Sequence, residues 1–92
     1  MAWNRLSNYA TTISVYEGKT RVVYHNTTIV SFDNKTIVLD SSGWQTTTTK
    51  RKMNQASFQF ALGYQIYQTD FSWYVHYKGM IIPFTDGMIL QR

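Results

Sequence analysis

Thr27-Thr28-Ile29-Val30-Ser31-Phe32-Asp33-Asn34-Lys35-Thr36-Ile37-Val38-Leu39 is two runs of β-branched and aromatic residues broken by Asp33-Asn34. Such side chains fit a pleated, half-buried surface, and Asp and Asn tolerate the left-handed conformations that two-residue hairpin turns demand. The stretch predicts an antiparallel hairpin.

Upstream, Lys19 to His25 continues in the same style, and Thr12 to Tyr16 alternates polar and apolar before Glu17-Gly18. Two further strands joined by a tight turn are expected there, and both histidines, His25 and His76, fall in expected strands. Downstream, Asp40-Ser41-Ser42-Gly43 marks a loop, since these residues bond locally to backbone and Gly relaxes the dihedral restriction. Between about residues 48 and 62 the period changes: Met53, Ala56 and Phe60 share one helical stripe and Gly63 follows as a stop. One of the threonines at 46 to 48 is expected to cap that helix.

Alternation returns in Tyr64 to Gln68 and Phe71 to Tyr77, then in Met80 to Phe84, where Pro83 points to an edge strand or a strand's end, and in Met88 to Leu90. The fold class is therefore α+β, a mostly antiparallel sheet of six or seven short strands with one central helix packed on one face. Ninety-two residues leave room for one core, so residues 1–92 are expected to form a single domain, with the first ten or so loosely ordered. Oligomerisation would supplement a core this small.

Composition removes several functions. Hydrophobic residues are 43% of the chain and charged ones 15%, far from the composition of disorder. With no cysteine there is neither a disulfide framework, a thiolate metal site nor a nucleophilic thiol. Met1 to Tyr9 lacks the apolar run of a signal peptide and no stretch approaches a membrane span, so a soluble cytoplasmic protein is expected. On that expectation, the glycosylation-like triplets at Asn26 and Asn34 are chance matches. The glycines are isolated, the five acidic residues are scattered in turns, and neither histidine has a metal-motif partner. Neither a catalytic role nor a cofactor is expected; an enzyme using His25 or His76 as general base would need a cleft that no motif announces.

The segment that stands apart is Gly43 to Gln55, where an aromatic, hydroxyls, consecutive cations and amides meet at the expected helix start. Helix N-termini present unpaired N–H groups and partial positive charge, and the net charge of +4 favours anions. Thr47, Thr48, Thr49, Lys50 and Arg51 are thus candidate phosphate contacts, Trp44 a candidate for stacking on a base, and Asn54 and Gln55 candidate readers of a base edge. Against this, a cationic run on a helix is commonly just a solvated face, and Trp44 is of a type usually buried.

Several of these segments together form a larger pattern: Tyr24-His25-Asn26-Thr27-Thr28-Ile29-Val30, Gly43 to Gln55, Trp73-Tyr74-Val75 and Ile82 to Met88. Over about residues 20 to 92 the chain resembles a family of small bacteriophage-encoded proteins. The resemblance implies a viral origin and work in the host cytoplasm, and it transfers no mechanism. Its expected role is a non-enzymatic binding protein for a phosphate-containing ligand. That ligand is either a signalling nucleotide sequestered from host defence or single-stranded nucleic acid, held by a homo-oligomer whose paired copies double the Thr-Lys-Arg cluster. The alternative is a virion component or an inhibitor of a host protein, acting through an aromatic face of Tyr64, Tyr67, Trp73, Tyr74 and Tyr77.

Overall fold

The computed structural model describes residues 10–43 and 45–92. Its elements in chain order are β1 (Thr11–Tyr16), β2 (Lys19–Tyr24), β3 (Thr27–Phe32), β4 (Thr36–Leu39), α1 (Thr47–Gln59), β5 (Tyr64–Thr69), β6 (Ser72–Tyr77), β7 (Met80–Pro83) and β8 (Met88–Gln91). The strands make two antiparallel sheets, one ordered β1-β2-β3-β4-β8 and the other β5-β6-β7. The fold is α+β and mostly sheet, as expected, but the single sheet anticipated divides in two because β8 returns to pair with β4 at Ile37↔Leu90 and Leu39↔Met88. That pairing leaves β5, β6 and β7 to associate by themselves.

The hairpin of β3 and β4 forms with Phe32 opposite Ile37. Its turn differs in mechanism from the expectation, since none of residues 33–35 has positive φ. Asp33 acts through its carboxylate instead: Oδ1 accepts the N–H of Lys35 and of Thr36, each at 2.8 Å. The bond from Lys35, then that from Thr36, holds the carboxyl below the ordinary aspartate value.

Three other connections carry positive φ at both turn positions, the geometry whose twist matches flanking strands. Glu17-Gly18 and Lys78-Gly79 place glycine second, where no Cβ resists it, whereas Asp70-Phe71 places a phenylalanine there at φ 68°. Phe71 is 94% exposed. His25, expected in a strand, lies in the turn after β2 with φ 55°.

Thr46 caps α1, its hydroxyl accepting the N–H of Thr49 at 3.2 Å. The helix ends at Gln59, earlier than expected, in a two-bond C-terminal motif. The N–H of Leu62 reaches the carbonyl of Ser57 at 2.9 Å, and that of Ala61 reaches Phe58 at 3.3 Å. Such a motif needs one left-handed residue, and Ala61 takes that conformation at φ 55° two residues before Gly63.

The core joins all three layers. Val22, Val30, Ile37, Leu39 and Leu90 of the large sheet meet Ile66, Trp73 and Val75 of the small one and Met53 and Ala56 of α1, all 5% exposed or less. Side chains alternate along β6, with Trp73, Val75 and Tyr77 inward and His76 outward.

Candidate functional site

The helix divides the basic triplet. Successive residues are about 100° apart around an α-helix, so Arg51 is exposed and Lys50 half-buried while Lys52 turns back into the protein, where it is 3% exposed. Its ammonium stands over the Tyr24 ring at 5.2 Å, and burial pushes its pKa below the ordinary lysine value.

The threonines divide likewise. Thr47 and Thr48 are exposed in the first turn, whereas Thr49 is 2% exposed and its hydroxyl lies 3.0 Å from that of Thr46. Trp44 lies outside the described residues.

Asn54 and Ser57 bind the outer edge of β5. The Asn54 amide donates to the Ile66 carbonyl at 2.8 Å and accepts the Ile66 N–H at 2.7 Å. One turn on, the Ser57 hydroxyl donates to the Tyr64 carbonyl at 2.6 Å and accepts the Tyr64 N–H at 3.1 Å. Two side chains on one helix face thus replace two rungs of a strand ladder, because each offers a donor and an acceptor side by side. The amide proposed from sequence to read a base is already engaged in this contact. A third tie runs from the Tyr64 hydroxyl to the Met53 carbonyl at 2.6 Å, and burial drives that phenol far above its ordinary pKa.

Between α1 and β5 this docking leaves an open groove of about 970 Å³. Thr47, Lys50 and Arg51 line one end, Gln55 and Gln65 the middle, and Phe58 and Ala61 the other end. None of the groove's lining residues is acidic. Five residues singled out from sequence, Thr47, Lys50, Arg51, Asn54 and Gln55, border it, while Thr48 and Thr49 do not. Phe58 and Gln65 were not anticipated. Phe58 is 65% exposed, and its position off the Met53–Ala56–Phe60 stripe was the available signal.

A second cleft of about 430 Å³ lies by the helix start on the β2–β3 side, bordered by Tyr24, His25, Thr27, Ser41, Thr46 and Thr49. Among the described residues no three His, Cys, Asp or Glu side chains gather to hold a metal, and no helix is long and apolar enough to cross a membrane.

The aromatic face anticipated from sequence does not exist as one surface. Tyr64, Trp73 and Tyr77 point into the core at 4 to 6% exposure, while Tyr67 and Tyr74 stack on each other outside, ring centroids 5.8 Å apart. Strand parity separates them.

These features define a small two-sheet α+β protein with a cationic, acid-free groove beside its only described helix. The chain matches the model of the Kyanoviridae Gp96 protein family over residues 1–91 and belongs to that phage family. No curated protein and no solved structure matches it.

Proposed function

We propose that this phage protein is a non-enzymatic binder of a phosphate-containing ligand bearing a base, held in the groove between α1 and β5. The observation that carries the reading is the pairing of Lys50 and Arg51 with an exposed Phe58 along one groove that has no acidic lining residue. Adjacent cations attract phosphate oxygens, Arg through a two-pronged hydrogen bond, and Thr47 adds a hydroxyl. Phe58 offers a stacking surface, a contact worth about 1–3 kcal/mol per base. Thr47 and Phe58 are eleven residues apart, which along a helix is about 16 Å. That length suits a dinucleotide or a short single strand better than one mononucleotide.

The test is a thermal-shift panel of cyclic dinucleotides and short single-stranded DNA and RNA against the wild type, Lys50→Ala/Arg51→Ala and Phe58→Ala. A ligand at a hundred times its Kd stabilises by about 2.7 kcal/mol. The shift is expected to vanish in the double variant and to shrink in Phe58→Ala. A steep fall of affinity with salt identifies the strand, since each neutralised phosphate releases counterions, and a shallow one the compact nucleotide. Silence across the panel with a folded protein refutes the proposal.

A further inference from the structure

The two sheets have four outer edges among the described strands, and three are closed to pairing. β5 is occupied by Asn54 and Ser57. β7 is four residues long and ends in Pro83, which has no N–H to donate. β8 is also four residues long, and its Gln91 carbonyl already accepts from the Tyr77 hydroxyl and the Lys78 ammonium, at 3.0 and 2.9 Å.

Among the described residues, none of these devices falls on Ile13 or Val15 of β1. Its six residues, Thr-Thr-Ile-Ser-Val-Tyr, contain no charge and no proline. Ile13 lies opposite the fully buried Val22, so Ile13 and Val15 belong to the core-facing side of the sheet, yet they are 42% and 70% exposed. In a two-residue hairpin the residues flanking the turn exchange backbone hydrogen bonds. Here those are Tyr16 and Lys19, and Ser14 and Arg21 follow two residues along each strand. Ile13 and Val15 therefore direct their N–H and C=O groups outward, away from β2.

From these observations we infer that β1 is the self-association edge of the protein, pairing antiparallel with β1 of a second copy about a two-fold axis at Ser14. That axis sets Ile13 opposite the partner's Val15 and Val15 opposite the partner's Ile13, apolar against apolar on the core-facing side, and joins two five-stranded sheets into one of ten. Charge selects the occupant. Two chains of net charge +4 repel, and they approach with least opposition along a strand that carries none. Lys19 and Arg21 on the neighbouring β2 disfavour a basic partner strand, and the register of Ile13 and Val15 fits a strand that is apolar and self-complementary, as a second β1 is. A six-residue strand is about 20 Å long, and its pairing falls short of the roughly 800 Å² per partner of a standard interface. The dimer is therefore concentration-dependent.

The experiment measures the mass of the full chain by sedimentation from micromolar to near-millimolar concentration, beside Val15→Lys and a control, Ile81→Lys, equally exposed on β7. Wild type and control are expected to move toward twice the monomer mass, while Val15→Lys stays monomeric with an unchanged circular dichroism spectrum. The chain has no cysteine, so Ser14→Cys is a clean second probe. Opposed across the axis in a non-hydrogen-bonded pair, its Cα atoms would be about 4.5 Å apart, within disulfide reach. It should cross-link on mild oxidation far faster than Ile81→Cys. Added salt should strengthen the dimer by screening the repulsion, opposite in sign to phosphate binding. A monomer at every concentration, a dimer that Val15→Lys leaves intact, or cross-linking of Ser14→Cys no faster than Ile81→Cys overturns the inference.

Discussion

β5 and β1 are both six-residue, uncharged outer strands, and the protein treats them oppositely. The edge of β5 is sealed at Tyr64 and Ile66 by a hydroxyl and an amide three residues apart on α1, so the outward backbone groups of those two residues are satisfied and a groove opens beside it. Among the described residues, no helix lies over the edge of β1. An edge's fate is thus set by what the rest of the chain brings to it and not by its own composition. Helix side chains are a working substitute for a strand when they present donor and acceptor together.

The comparison breaks most severely at the seal. Asn54→Ala leaves the Ile66 N–H and C=O without their partner, and at about 1–3 kcal/mol per buried unsatisfied group a loss of about 3 kcal/mol is expected in denaturant unfolding. Val15→Thr on the open edge should change monomer stability by less than about 0.5 kcal/mol. Equal losses would erase the distinction between the edges.

Next in size is the tie from Tyr64 to α1. Tyr64→Phe should cost about 1–2 kcal/mol by removing the bond to the Met53 carbonyl. Burial raises the folded phenol's pKa above the ordinary 10.0, so its contribution is complete below pH 10 and is lost as pH rises beyond it toward the folded value. The variant should therefore lose less stability than wild type across alkaline titration, read by thermal unfolding.

A smaller effect is expected where the sealed side joins the large sheet. Asp86 accepts the Ser41 N–H at 2.8 Å and its hydroxyl at 2.6 Å through Oδ1, and the Gly43 N–H at 3.0 Å through Oδ2. Desolvation pushes this carboxyl up, but the bonds from Ser41 and Gly43 outweigh it and the net pKa is lowered. Its stabilisation is therefore in place above pH 3.8 and is lost as pH falls through the lower folded value. Because the site is largely open to water, Asp86→Asn should cost only about 1 kcal/mol at neutral pH, with a shallower acid limb than wild type.

The smallest change is a gain. Ala61 bears a left-handed φ at the end of the helix that supplies the seal. Ala61→Gly should raise stability by somewhat under about 1 kcal/mol, measurable as a higher Tm.

Much of the fold was legible because it is local. The existence of the β3–β4 hairpin, though not the mechanism of its turn, the Glu17-Gly18 turn, the alternation of β6 and the edge position of β7 follow from period and turn residues within a short stretch. The two-sheet division was not legible, since it depends on Met88–Gln91 returning to Thr36–Leu39, a choice among several apolar strands that no local signal ranks. The helix end was missed because Ala61 accepts a conformation normally left to Gly63. The Lys-Arg block was visible as charge, but the inward turn of Lys52 required the helix phase to be fixed against Met53 and Ala56. Asn54 carried no mark of its attachment to Ile66, because a donor-acceptor side chain looks the same whether it reads a ligand or a strand.

The return of β8 to β4 has a consequence for how the chain is organised. Leu39 lies opposite Met88 and its carbonyl accepts the Gly87 N–H at 2.8 Å. The large sheet is therefore an uninterrupted up-and-down meander whose last hairpin loop happens to contain α1, β5, β6 and β7. Asp86, bonded to Ser41 and Gly43, is the clasp at the neck of that excursion. Every residue bordering the groove between α1 and β5 belongs to the excursion and none to the meander. Backbone pairing and groove lining are thus divided between two stretches of the chain, although their side chains share one core. A change to the exposed groove residues leaves every strand pairing of the large sheet in place, while a change to Met53, Ala56 or Ile66 reaches both.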